Sequence, residues 1–352
     1  MARLADVSEH LKLVVHHGER ARTDGRLTGD VVMELVAGAG VDAAVALRGV
    51  EGFGAHHRLR TDRLLTLSDD LPLITLVVGS AGAVAPLATA VAEAVPSGLL
   101  TLERVALPGL GLDDDLLPAL AGGTAKITVH CARGALRPVA AALEAAGADG
   151  VVALVGVDGV LGGRRRRGSV RRAGREVPGA VIAVGASRTL AAALPRVRAA
   201  AGAHVLGLER VNVVRRAGAA VGPLPVVPDR DAAGLGLWQR VLVAVGAEDR
   251  AAHRLVRDLR AAGCAGATAL RGASAAIAGR RHEEGGSGLR RRAPFHLTVV
   301  DTPAEVRRLW PVVEAATRDD GLVTCETIPA VRIHPVGGRR VGGLELAAPA
   351  RG

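Results

Sequence analysis

Three short anchors recur in the same order along the chain, and this repetition constrains the fold more than any single motif. "KLVVHHG" at 12–18 returns as "KITVHC" at 126–131 and "RVLVAVG" at 240–246. "ELVAGAGVDAAVALRG" at 34–49 returns as "ALEAAGADGVVALVG" at 142–156 and "DLRAAGCAGATALRG" at 258–272. "LLTLERVAL" at 99–107 returns as "VLGLERVNV" at 205–213 and "LVTCETIPAV" at 322–331. Lys12, Lys126 and Arg240 follow one another at intervals of 114 residues. Self-similarity at a fixed period means that one supersecondary unit is used three times.

Each copy reads in the same order. A strand (Lys12–His17, Lys126–Cys131, Arg240–Val245) leads into a helix over about Leu27–Ala37, Leu136–Ala146 and Arg250–Ala262. In the first helix Leu27, Val31, Leu35 and Val36 make one apolar stripe. A second strand, a long connection, a third strand, a second helix and a fourth strand complete the copy. The third copy's second helix opens on Thr302-Pro303-Ala304-Glu305, a capping box with Pro at the first helical position. The order βαββαβ is a split βαβ of ferredoxin-like type, an α+β fold. It puts both helices on one sheet face, so the other apolar face must be covered, and association of units covers it. The reading is three tandem ferredoxin-like units at 1–108, 124–214 and 236–334, with linkers at 109–123 and 215–235 and a tail at 335–352. The linkers carry Gly, Pro and Asp and are long enough to let three units close into a ring, giving a monomer that contains three units.

Composition excludes several classes. A net charge of +10 favours anionic partners. Two Phe, two Trp and no Tyr leave nothing to build a base-stacking platform, so nucleic acid is the weaker reading. Cys131, Cys264 and Cys325 stand alone, without CxxC, which excludes a disulfide scaffold, argues against a zinc knuckle and fits a reducing cytoplasm. The start, MARLADVSEHLK, has no apolar leader segment. Leu71 to Ala92 is uncharged and of membrane-span length, but it holds Pro72, Gly79, Ser80, Gly82 and Pro86 and reads as a strand followed by a helix. GxxxxGK[ST], HExxH and GxSxG do not occur, and "GAGVDA" at 38–43 ends a helix instead of opening one. No triad, dyad or metal set is offered, so the chain reads as a non-enzyme without a cofactor.

In the first copy, "LKLVVHHGERARTDGRL", "ALRGVEGFGAHHRLRTDRLLTLSDDLPLITLVV" and "GLLTLERV" resemble the domain-of-unknown-function 190 family, a member of the P-II-like superfamily of signalling proteins. The match spans about 11–107; the second and third copies share its framework but lose GFG and LSxDLP. The resemblance implies a single-chain P-II-like pseudo-trimer and a regulatory function. It implies a small anionic ligand, adenine nucleotides included, in clefts between units. It also implies a long loop after the second strand that meets an effector, with a membrane transporter or ion channel as the partner class.

The first copy's loop, 49–70, is the expected ligand site. Gly49, Gly52 and Gly54 permit close backbone approach, Phe53 either stacks a base or plugs a core, and Arg48, His56, His57, Arg60 and Thr61 complete a cationic edge. The pairs His16-His17 and His56-His57 point to opposite faces if extended, so neither chelates a metal alone. Arg runs at 164–175 and 280–292 occupy the matching loop positions. Arg164, Arg165, Arg166, Arg167, Arg290, Arg291 and Arg292 are the expected partner contacts, or in the alternative reading a nucleic-acid contact. Glu103, Glu209 and Glu326 recur on the last strands and read as interface salt bridges, with Arg104 or Arg210 as partners.

Overall fold

The computed structural model describes residues 9–54, 59–61, 70–107, 123–168, 176–202, 204–246, 251–283, 294–335 and 338–348. It is a mixed α+β structure in which one order of elements occurs three times. The first stretch holds β1 (His10–Gly18), α1 (Thr28–Gly38), β2 (Ala43–Phe53), β3 (Pro72–Ser80), α2 (Ala81–Ala94) and β4 (Gly98–Arg104). The second holds β5 (Thr124–Ala132), α3 (Leu136–Ala145), β6 (Gly150–Val155), β7 (Asp158–Leu161), β8 (Arg164–Arg167), β9 (Pro178–Ala186), α4 (Ser187–Ala201) and β10 (His204–Arg210), followed by β11 (Asn212–Arg216). The third holds β12 (Trp238–Val245), α5 (Ala251–Ala261), β13 (Ala267–Arg271), β14 (Ser274–Ile277), β15 (Arg280–Glu283), β16 (Phe295–Asp301), α6 (Pro303–Ala316) and β17 (Leu322–Ile328), followed by β18 (Ala330–His334). The hydrogen-bonded orders β2-β3-β1-β4, β6-β9-β5-β10 and β13-β16-β12-β17 are the same and wholly antiparallel.

Alternation along the first strand of each stretch sorts two cores. Leu11, Leu13 and Val15 pack with Val32, Val36, Val84 and Val91 of α1 and α2. Val14, one step out of phase, packs with Val45, Leu47 and Ile74 and with Val152, Leu154, Ala180, Ala244, Leu270 and Leu322 of the other stretches. A strand buried on both faces reads as a continuous apolar run, as these do. Local signals agree: Ser80 Oγ caps α2 by accepting from Ala83 N, and Thr302 Oγ1 accepts from Glu305 N at the start of α6. The Glu305 carboxylate pairs with Arg308, so only half of the expected capping box forms.

Strand pairing also runs between stretches, and it is cyclic. The end of β2 pairs with β13 (Phe53↔Ala267), β7 pairs with β2 (Leu161↔Ala43), and β14 pairs with β6 (Ile277↔Gly150). In the other sense, Ala106 bridges Leu208 of β10, β11 pairs with β17, and β18 pairs with β4. Each stretch therefore pairs its backbone with both neighbours, the first reaching the second through the single bridge at Ala106. This corrects three expectations. Residues 49–53 are the outer end of a strand and not the start of a loop. Arg164–Arg167 is a strand of a β-hairpin and not a loose run, because Gly162 and Gly163, both at positive φ, make a two-residue turn. Residues 212–216, partly assigned to a linker, form a strand. Among the described residues no helix is long and apolar enough to cross a membrane, and 72–94 is the strand and helix expected.

Candidate functional site

Lys12, Lys126 and Arg240 sit near the starts of β1, β5 and β12, each directly across the ladder from a glutamate on the last strand: Glu103, Glu209 and Glu326. Their side chains point to the shared face and meet at its centre. Lys12 contacts Glu103 at 3.0 Å and also reaches Glu209; Lys126 lies 3.3 Å from Glu209 and 2.6 Å from Glu326; Arg240 lies 3.1 Å from Glu326 and 2.5 Å from Glu103. Every cation thus bridges its own stretch's carboxylate and the next one's, closing a six-membered ring of alternating charge. All six residues are buried. Arg240 Nη2 also donates to Thr101 Oγ1 at 3.0 Å, and Thr101 donates to Glu103 at 2.7 Å.

Burial raises the cost of every charge here, and the partners reverse it. Burial alone would raise Glu103 and Glu326; beside Arg240 and Lys12, and beside Lys126 and Arg240, both are held below the ordinary carboxylate range. Lys12 and Arg240 lose to burial and gain more from the carboxylates, so both end above their ordinary values. Three cationic side chains face three carboxylates, so the ring balances overall. One oxygen of each carboxylate lies within 4.8 Å of the others, a spacing that suits a cation, but the three cationic side chains already compensate them.

Against this ring lies a cavity of about 60 Å³ lined by all three stretches. Its polar wall contains Lys12, Lys126 and Arg240 together with the imidazoles of His16, His130 and His296; its apolar wall includes Leu47, Ile74, Leu76, Leu242 and Leu270. Burial, with the nearby cations second, lowers His16 to about 3 and His130 and His296 to about 4, so all three are neutral at physiological pH. The glutamates form salt bridges as expected, but with Lys12, Lys126 and Arg240 and not with Arg104 or Arg210; the signal for these partners is the cationic anchor repeated every 114 residues.

The expected ligand loop divides. Phe53 is buried in the core of the third stretch, with Val241, Val243, Ala267 and Phe295, so the plug reading replaces the stacking one. A Cβ at Gly52 would stand 2.5 Å from Ala267 O, so this glycine lets strands of two stretches meet, and one at Gly49 would stand 2.5 Å from Pro72 Cγ on β3 of its own stretch. Glu51 is buried against His253 of α5 at the same seam. Arg48 makes a two-pronged contact with Glu19 at 2.8 Å, Arg60 pairs with Asp70 at 2.9 Å, and Thr61 lies beside them on a short strand pairing with Glu51. Gly54 is exposed, with space around it. His56 and His57 lie outside the described residues, as do Arg290, Arg291 and Arg292. Of the expected partner contacts, Arg165 is bidentate to Asp158 (2.7 and 3.2 Å), Arg166 pairs with Glu176 at 3.0 Å, and Arg167 pairs with Asp30 of α1 at 2.9 Å; Arg164 is exposed at the turn. Arg167 thus clips the second stretch to the first, while Arg165 and Arg166 pair within their own stretch. Burial pushes the thiols of Cys131, Cys264 and Cys325 up to about 12, 11 and 12, which leaves them unreactive.

A family model described as an uncharacterized ACR, domain of unknown function 190, matches residues 10–107 and 244–330, more than half of the chain. The chain belongs to the domain-of-unknown-function 190 family. The match takes in the third stretch as well as the first, although the third lacks GFG; the domain-of-unknown-function 190 signal therefore lies in the framework as much as in the loop. Among solved structures, an aspartate kinase from Synechocystis is similar at 10% identity and a TM-score of 0.24, over 94% of this chain and 45% of that one, so the chain spans under half of the kinase's length. An anthrone oxidase-like protein is similar at 12% identity and a TM-score of 0.16, over 58% of this chain and 93% of that one. Scores this low bear on neither the fold nor the activity of this domain-of-unknown-function 190 protein.

Proposed function

We propose that this protein is a non-catalytic regulator of P-II-like type. Three ferredoxin-like units in one chain form a pseudo-trimer that takes a small anionic ligand at the seams between units and contacts a partner through the connections after each second strand. The observation that carries the reading is the cyclic exchange of strands. Each connection begins on the neighbouring stretch, so a ligand that reorders a connection at a seam acts on two units at once. At the seam between the first and third units, Arg48 and Arg60 stay partly exposed in their pairs with Glu19 and Asp70. An anion there competes with carboxylates for guanidinium groups already in place. The partner class is a membrane transporter or channel, and the working place is the cytoplasm.

A thermal-shift screen over adenine nucleotides, second messengers and inorganic anions tests this, since a ligand that binds the native state raises its melting temperature. The expected result is saturable stabilisation by a nucleotide or related anion, weakened at least several-fold by Arg48→Ala with Arg60→Ala, in a protein whose solution mass is one chain. No stabilisation by any of them, together with DNA binding that falls steeply with salt, would replace the reading with the nucleic-acid one.

A further inference from the structure

Two groups of titratable residues meet at the centre of the molecule, the charge ring and the imidazoles beside it, and the reading above uses neither. The imidazoles are placed in an instructive way. His16 and His130 stand four residues after Lys12 and Lys126. Four residues after Arg240 comes Ala244, whose ladder partner is His296; the partners of His16 and His130 are Ile74 and Ala180. Cross-strand partners share a sheet face. All three stretches thus present an imidazole to one cavity, the third from the neighbouring strand.

We propose that this central cavity binds one small, weakly hydrated monovalent anion, held by the imidazoles of His16, His130 and His296 in the field of Lys12, Lys126 and Arg240. Four observations carry it. The cavity wall contains all three cationic side chains but Glu209 alone of the three carboxylates, so the ring shows its positive side to the space. His16 Nε2, His130 Nδ1 and His296 Nδ1 are buried ring nitrogens with no hydrogen-bond partner among the described residues, and buried polar atoms ordinarily have one. Among the described residues only the three glutamates bring three ligand atoms within 4.8 Å of one another, so the imidazoles stand too far apart to share a metal ion. Apart from Thr128 and Thr298 the rest of the wall is apolar, and moving a strongly hydrated phosphate there costs more than moving nitrate, bromide or iodide.

Charge balance adds a signature. The ring is neutral, so an anion alone would leave one uncompensated negative charge. Uptake of one proton by an imidazole restores neutrality. The groups that face the imidazoles are Arg240, His17 and Glu103 for His16, Lys12 and Glu209 for His130, and Lys126 and Arg240 for His296. The cations among them hold the imidazoles neutral in the free protein, and a bound anion offsets that effect. Anion and proton therefore bind together, and affinity rises by up to about tenfold for each pH unit of acidification while one proton is taken up.

The test uses the full chain and sodium nitrate, with sodium gluconate, too large for the cavity, holding ionic strength constant. Low-millimolar nitrate is expected to raise the melting temperature saturably, with a midpoint that falls as pH falls from 8 to 6, and to draw protons from a weakly buffered solution. Crystals grown in bromide are expected to show an anomalous peak between His16, His130 and His296. A variant with His130→Leu and His296→Leu, which fills the cavity with apolar groups, should lose both the nitrate shift and the proton uptake. Nitrate acting no differently from gluconate would overturn the proposal. So would a shift that is insensitive to pH and survives in the leucine variant, which would place the anion elsewhere. If that variant does not fold, proton uptake and the bromide peak in the unaltered chain decide.

Discussion

Ion pairs join neighbouring stretches at the centre and at the rim of this molecule, and the two sets differ in what they do. At the centre, six side chains each no more than 9% exposed form a closed ring. At the rim, Arg167–Asp30 and Arg281–Glu144 link neighbouring stretches through arginines 59% and 71% exposed, and Arg166–Glu176 pairs within the second stretch. The chemistry is the same and the surroundings are not. A rim pair forms in water and is worth about 0–1 kcal/mol. A central pair is made of charges that have lost their water, so each is tolerable only while the others remain. The ring therefore specifies which strands meet and in what register more than it adds net stability, a role that buried polar groups fill in other assemblies.

Breaking the ring should produce the largest effect. Glu326→Gln leaves Lys126 and Arg240 with one carboxylate each and one buried positive charge unbalanced. The expected loss is about 3–5 kcal/mol, read as a lower urea midpoint at unchanged slope. Replacing all six ring residues together by leucine and methionine should cost far less than that single change. A single variant as stable as the parent would show that water reaches the ring.

Next comes the apolar part of the seam. Phe53→Ala removes a ring from the core of the third stretch although Phe53 belongs to the first. A loss of about 3 kcal/mol is expected, as for other large-to-small changes in packed cores. Gly52→Val should act in the same direction, because its Cβ would meet the Ala267 carbonyl. Measured stability within about 0.5 kcal/mol of the parent for Phe53→Ala would mean that this seam is open in solution.

The sequence made much of the framework legible and little of the seams. Period-two alternation, helix caps and the 114-residue spacing mark the four framework strands and two helices of each stretch, and the ends of each first helix lie within a residue or two of Thr28–Gly38, Leu136–Ala145 and Ala251–Ala261. The charged anchors lay in plain view, but pairing Lys12 with Glu209 needs contacts 197 residues apart, which no local pattern encodes. The Arg164–Arg167 strand is masked by its arginine-rich composition, although Gly162-Gly163 between "DGVL" and "RRRR" is a hairpin signal. Phe53 between glycines suggested a ligand contact, when a lone aromatic among glycines also serves to anchor an edge strand in a neighbour's core.

Acidity sharpens the contrast between centre and rim. His130 and His296 are lowered to about 4, so between that value and the ordinary 6.5 the unfolded chain binds protons that the folded chain refuses. Stability is present above pH 6.5 and falls as pH drops toward 4, by about 1 kcal/mol per pH unit for each imidazole. His130→Leu should remove its share of that slope in denaturation curves taken between pH 7 and pH 5. A slope that the leucine variant leaves unchanged would mean that His130 is hydrated in the folded state.

The smallest effect belongs to the rim. Arg166→Ser removes a pair to Glu176, whose side chain is 78% exposed, on the outer strand of the β7–β8 hairpin. The strand stays paired through its backbone, and serine is acceptable on a solvated strand face. The change should alter stability by under about 0.5 kcal/mol, with any difference vanishing at high salt. Arg165→Ser is the sharper member of the set, because its bidentate partner Asp158 is itself buried and would be left with the more distant Arg167. A loss of about 1–3 kcal/mol is expected there, the cost of leaving a buried charged group short of a partner. If the two substitutions behave alike in denaturation at low salt, burial does not separate centre from rim in this protein. If Arg165→Ser is the costlier of the two and Glu326→Gln costlier still, the three variants rank in the order of how far their carboxylates have been withdrawn from water.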